Sequence, residues 1–180
     1  MTIQANDILD FWFDAGPQKW WVKDQAFDAT IAEKFSAIHE IATDGGIDGW
    51  MEGADSALAL VIILDQFSRN LFRGDARTFA QDEKALALAR AAIDAGFDRE
   101  VGKTRAQFFY LPFMHSEDLA MQDFCVALYR LTGDVSLMHH AVVHRDIICR
   151  FRHFPHRNGV LGRLTSPAEQ AFLDNGGFGG

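Results

Sequence analysis

At 180 residues, 48% hydrophobic and 12% aromatic, the chain has the material for a buried core and the profile of one ordinary globular domain, not of a disordered segment. The formal charge is −8, from 17 Lys and Arg against 25 Asp and Glu; this disfavours nucleic acid or an anionic membrane as partner, because both need a basic footprint. Asp7, Asp10 and Asp14 interrupt the first apolar residues, no basic leader precedes them, and the longest apolar run is too short for a membrane span; a soluble, cytoplasmic protein is expected.

Helical periodicity runs nearly end to end. Ile8, Phe11 and Trp12 make a first apolar stripe that stops at Asp14-Ala15-Gly16-Pro17. A second stripe passes through Phe27, Ile31, Phe35, Ile38 and Ala42, with Asp24 as N-cap and Gly45-Gly46 as its end. A turn over 47–50 leads to Asp55 or Ser56, the expected caps of a central helix. That helix is apolar on all sides through Leu64, which predicts a place in the middle of the bundle. Gly74-Asp75 breaks it. A further helix is predicted over 80–95, with Leu86, Ala89 and Ile93 inward and Gly96 as cap. A short aromatic segment over 105–111 is expected to be interrupted by Pro112. Ser116 is the expected cap of a helix that reaches Leu131 and closes at Gly133, and Leu137, Ala141, His144 and Ile148 form the next stripe. After a loop at 154–159, Ser166-Pro167-Ala168-Glu169 places a hydroxyl at N-cap, Pro at N1 and Glu at N3, which is a capping box. Asn175-Gly176-Gly177 ends the last helix and leaves a mobile tail over 176–180. No alternating segment suits a strand, so the pattern is a single all-α domain over 1–180, built of antiparallel helical hairpins.

Three polar clusters stand out against this apolar background. The first is Leu64-Asp65-Gln66-Phe67-Ser68-Arg69-Asn70-Leu71-Phe72-Arg73-Gly74, which continues the central helix without a turn signal. Spacings of three and four would put Asp65, Gln66, Arg69, Asn70 and Arg73 on one face. Arg69 and Arg73 repel each other on adjacent turns unless carboxylates or an anion lie between them; Asp82, Glu117 and Asp118 are the candidate carboxylates. The second cluster is His115-Ser116-Glu117-Asp118 at a helix start, and the third is His156-Arg157-Asn158 with Arg163 nearby. Converged, they would form one cleft.

Three functions fit these residues. A binding protein would hold a small anionic ligand or an acidic peptide terminus through Arg69, Arg73 and Arg157, with Asp65, Gln66, Asn70 and Asn158 completing the site. A hydrolase- or lyase-type enzyme would use Glu117 as base and His115 or His156 as acid. A protein–protein scaffold would need an exposed apolar patch and would leave the polar residues as a structural network. His140 and His144 are spaced like metal ligands, with His139, His153 and His156 not far off, but the glutamate of a zincin motif is missing and no metal is expected. His144-Arg145-Asp146 lacks the other parts of a kinase, Trp20-Trp21 reads as packing, and no cofactor fingerprint is present, so no cofactor is expected. Cys125 and Cys149 sit in helical patterns and are expected as two buried thiols of a reducing compartment. Oligomeric state has no signature here.

Four motifs in order, Ile8-Leu9-Asp10-Phe11-Trp12-Phe13, Leu64-Asp65-Gln66-Phe67-Ser68-Arg69-Asn70, Pro112-Phe113-Met114-His115-Ser116-Glu117 and Phe154-Pro155-His156-Arg157-Asn158, resemble the bacterial "domain of unknown function 924" family over nearly the whole chain. The resemblance implies a tetratricopeptide-like all-helical fold and brings no established activity. One departure is visible: the family pattern would place Gly-Arg before Phe154, where this chain has Arg152-His153, so the backbone leading into that loop is expected to differ.

Overall fold

The computed structural model describes residues 2–179, so residue 180 of the expected mobile tail lies outside it. All regular structure among the described residues is helical, and no helix is long and apolar enough to cross a membrane. Contacts gather into two compact units where the sequence suggests one domain. The first runs to Arg73 and resumes over Arg77–Pro112; the second takes Gly74–Ala76 and continues from Phe113.

The first unit opens with α1 (Ala5–Ala15) and the short α2 (Pro17–Trp20), followed by α3 (Gln25–Thr43). Asp24 caps α3 as expected, accepting from the Ala26 and Phe27 amides at 3.0 and 3.1 Å. The central helix α4 (Ala54–Ile62) begins differently from expectation. Its N-cap is Gly53, and the Ser56 hydroxyl is spent on the Trp50 and Gly53 carbonyls. Ala57 through Leu64 are all fully buried. At about 1.5–3 kcal/mol for each large aliphatic side chain removed from water, this run supplies much of the unit's stability.

The helix does not continue regularly into the polar motif. Ile63–Phe67 forms a π-turn, and regular geometry returns in α5 (Ser68–Leu71). The wider turn shifts every later side chain around the axis, so the polar residues spread over more than the one predicted face. Packing of α3 and α1 around this segment places Phe35 5.2 Å from Phe67, and Trp12 5.8 Å from Phe67 and 5.7 Å from Phe108. Next come α6 (Asp82–Asp94), α7 (Phe97–Glu100) and α8 (Lys103–His115). Pro112, predicted to interrupt, sits inside α8. Its fixed φ suits a helix, but it forfeits the hydrogen bond to the Phe108 carbonyl and its ring crowds that carbonyl. That cost, about 3 kcal/mol, is offset by the burial of Phe108, Phe109 and Phe113.

In the second unit α9 (Leu119–Thr132) and α10 (Val135–Phe151) form a hairpin across Gly133, which adopts φ +73° to turn the chain in two residues. The cap of α9 is Asp118, bonded by the Ala120 and Met121 amides, and not Ser116 as predicted. Cys125 is buried on α9, whereas Cys149, expected to be buried, is exposed on α10. The capping box of α11 (Pro167–Asp174) is present as read: Ser166 receives the Glu169 amide and the Glu169 carboxylate receives the Ser166 amide. Ile147, Ile148 and Phe154 form the core here, and Phe172 and Phe178 pack against it.

The segment that joins α10 to the loop keeps the backbone geometry of a glycine without having one. Arg152 lies at φ +68°, the left-handed region, and His153 Nε2 approaches Glu169 Oε1 at 2.5 Å. The departure from the family pattern is therefore carried as strain at Arg152 and as a close contact between His153 and Glu169. Arg152→Gly is expected to stabilise the protein by about 0.5–1 kcal/mol, seen as a higher urea midpoint at unchanged slope.

Candidate functional site

In the first unit the motif residues are partnered from within. Asp65 is 1% exposed. The Arg69 guanidinium donates to the Asp65 carbonyl at 2.6 Å, lies 3.3 Å from the Asp65 carboxylate and donates to Asp82 at 2.9 Å. The Gln66 amide donates to the other Asp65 oxygen. Burial works against the Arg69 charge, but Asp65 and Asp82 outweigh it and hold the guanidinium pKa above its ordinary value. Asn70 and Arg73 go to a different acid, Asp28: the Asn70 amide donates at 2.8 Å, and Arg73 forms a two-pronged fork at 2.9 and 3.0 Å. The repulsion between the two arginines is thus offset by three carboxylates, Asp65, Asp82 and Asp28. Asp82 was among the sequence candidates and Asp28 was not; forty-five residues separate Asp28 from Arg73, and nothing local links them.

A different face of the same segment carries Ser68 and Phe72. Ser68 is fully buried and donates its hydroxyl hydrogen to the Leu64 carbonyl at 2.6 Å. His39 Nε2 lies 2.8 Å from that oxygen. Since the hydroxyl has one hydrogen and Leu64 takes it, Nε2 must be the donor, and Nδ1 is left as the ring's acceptor. Burial holds the His39 pKa below its ordinary value despite the Glu40 charge, so the imidazole is neutral at pH 7. His39 lines a cavity of about 290 Å³ together with Glu40, Thr43, Asp44, Phe72 and Gln81, and with Arg77, whose guanidinium lies 4.6 Å over the Phe72 ring. His39 is a lone histidine in an apolar helical stripe and carries no local sequence signal. A larger cavity, about 480 Å³, opens beside the starts of α1 and α4, but no polar side chain that lines it is buried, and Asp55 is paired with Arg105; the carboxylates of the His39 cavity, Glu40 and Asp44, are exposed as well, and His39 is what sets it apart.

The second and third sequence clusters meet in the second unit. Glu117 accepts from the Phe154 amide at 3.0 Å and from both Arg163 amino groups at 2.9 and 2.8 Å. Burial favours its neutral form, yet Arg163, the Phe154 amide and Arg157 prevail and hold its pKa below the usual carboxylate range. Arg157 donates to the His115 carbonyl at 3.0 Å and stacks its guanidinium 4.5 Å over the Phe154 ring. Asn158 is fully buried and its amide reaches Thr165 at 3.4 Å. The His156 ring lies 5.6 Å from Phe154 and 5.3 Å from Phe178. Gln122, which the sequence did not single out, is fully buried and donates to the Met114 and Ser116 carbonyls, both at 2.7 Å. His144 donates from Nδ1 to the His140 carbonyl at 2.8 Å, and burial pushes its pKa down to about 3.

The model of a bacterial protein family of unknown function, DUF924, matches residues 8–177. The chain belongs to this family. A solved structure of a protein of unknown function, ATU0120 from Agrobacterium tumefaciens, is similar at 48% identity, covering 96% of this chain and 97% of that one, with a TM-score of 0.93. No curated protein matches the chain.

Two outcomes follow from the geometry. Arg69→Ala strands the buried Asp65 carboxylate and is expected to cost about 3 kcal/mol, a fall of roughly 6–12 °C in Tm for a chain of this length; calorimetry showing a loss below about 1 kcal/mol would contradict the network. Folded His144 stays neutral down to about pH 3, whereas an unfolded histidine takes up a proton near 6.5. Its contribution is therefore complete above pH 6.5 and is lost as the pH falls toward 3, at up to about 1.4 kcal/mol per pH unit. His39 acts in the same direction, and Glu117 adds to the loss only at lower pH, as its carboxylate is protonated. His144→Phe is expected to reduce, without abolishing, the fall in urea midpoint between about pH 6.5 and about pH 5.

Proposed function

We propose that this DUF924 protein binds a small molecule in the cavity at the C-terminal end of α3, and that Asp65, Gln66, Arg69, Asn70 and Arg73, which do not line it, brace the helical segment that carries Ser68 and Phe72. The observation that carries this reading is the hydrogen-bond sequence His39–Ser68–Leu64. It fixes a buried, neutral imidazole in one tautomer beside a cavity, with its acceptor nitrogen given no partner by that sequence. Such preorganisation resembles a binding group more than core packing, which would be served by an apolar residue of the same size. At about 290 Å³ the cavity lies just below the usual range for ligand sites, about 300–1,000 Å³, which suits only a small ligand.

An anionic ligand held by Arg69, Arg73 and Arg157 has less support. Arg69 and Arg73 are matched by Asp65, Asp82 and Asp28, and Arg157 is held by a carbonyl and a ring face. Acid–base chemistry at Glu117 has less support as well, because its ion pair with Arg163 lowers its basicity and occupies both oxygens.

The test is side-chain nitrogen NMR of the histidine-labelled protein. The expected spectrum has His39 protonated on Nε2 at pH 7, and a fragment set of small polar molecules should contain members that move the His39 Nδ1 signal but bind no longer to a folded His39→Phe variant. A proton found on Nδ1, or a His39 signal that no fragment moves, would overturn the reading.

A further inference from the structure

We infer that the ligand of the His39 cavity is a small primary amine, bound as its ammonium ion; this rests on the binding reading above and names the chemical class that the same site selects. Four features of the lining point the same way. The Nδ1 lone pair of His39, left over by the Ser68 bond, requires a hydrogen-bond donor and repels a carboxylate or phosphate oxygen. Glu40 and Asp44 line the same cavity one helical turn apart, so two carboxylates share its rim. The Thr43 hydroxyl oxygen is buried there and has no hydrogen-bond partner. An ammonium group has three hydrogens, enough for an imidazole nitrogen, a carboxylate and a hydroxyl at once.

The fourth feature is the place of the cavity on the helix. It lies at the C-terminal end of α3, where the backbone dipole is negative, although the last carbonyls are already taken by the Asp44, Gly45 and Gly46 amides and by Lys84. The chain's own Lys84 already uses this chemistry, donating its ammonium to the Ala42 and Thr43 carbonyls at 2.8 and 3.3 Å and pairing with Asp48 at 3.2 Å. Phe72, the aromatic wall, likewise has a cation over its face, the Arg77 guanidinium. Lys84 and Arg77 offset part of the acidic field, but Glu40, Asp44 and Asp48 outnumber them. A neutral imidazole adds a further acceptor without adding positive charge.

Isosteric probes of opposite charge decide the question. Butylamine and benzylamine are titrated against butyrate and benzoate at pH 7 and constant ionic strength, following the His39 Nδ1 signal and the Thr43 backbone amide. The expected result is saturable shifts with the amines and none with the acids. The shifts should be abolished in His39→Phe. Binding should weaken roughly tenfold in Glu40→Gln/Asp44→Asn, the worth of a charge-assisted hydrogen bond. Shifts with the acids and not the amines would overturn the amine assignment while leaving the cavity as a binding site. Shifts with neither class would overturn the assignment, and together with an unresponsive fragment screen would remove the binding reading too. Undiminished amine binding in the folded Glu40→Gln/Asp44→Asn variant would also overturn it.

Discussion

Asp65 lies at the centre of a helix that is buried on every side, and the cost of removing its charge from water is the constraint to which the rest of the first unit answers. A buried carboxylate is tolerable only with a cation and donors in contact, and Arg69 and Gln66 provide them. Arg69 in turn needs more negative charge than one acid supplies, which brings in Asp82 from the start of α6. Arg73, pushed away by Arg69, is drawn to Asp28 near the start of α3. One buried charge thereby positions three helices, and the π-turn at Ile63–Phe67 is the adjustment that lets the side chains diverge toward different partners.

The second unit solves a similar problem around Glu117. Its carboxylate ties a loop amide at Phe154 to the Arg163 guanidinium, and Arg157 covers the Phe154 ring while bonding the end of α8. These groups hold one another in place: both Glu117 oxygens are engaged, and Arg157 is held between the His115 carbonyl and the Phe154 ring. The cavity beside His39 differs in kind. There a buried histidine, held by its bond to Ser68, lines a cavity at the surface beside the exposed Glu40, Asp44 and Arg77.

The legible and illegible parts of this chain divide by the range of the interaction. The three polar clusters could be picked out in the sequence, and two of them do meet, through Glu117 with Phe154 and Arg157 with His115. Their roles could not be picked out, because whether an arginine is a ligand group or half of an ion pair depends on an acid elsewhere in the chain. Asp28 has no local signal for that reason, and Gln122 and His39 have none because their partners, too, lie outside their own helical turns. Ser116 and Asp118 show the same limit at short range: both are competent caps two residues apart, and the path of the chain into α9 chose the second.

The sequence by itself determined the all-helical class, the family, the Asp24 cap, the Gly133 turn and the capping box of α11, because each rests on contacts within a few residues or on a periodicity that any stable packing must respect. The tertiary structure alone decided the π-turn, the continuation of α8 through Pro112, the left-handed Arg152, the pairing of Arg73 with Asp28 and the tautomer of His39. Each of these trades a local cost in geometry or desolvation against burial and charge pairing supplied by distant segments, and the balance exists only once those segments are packed together.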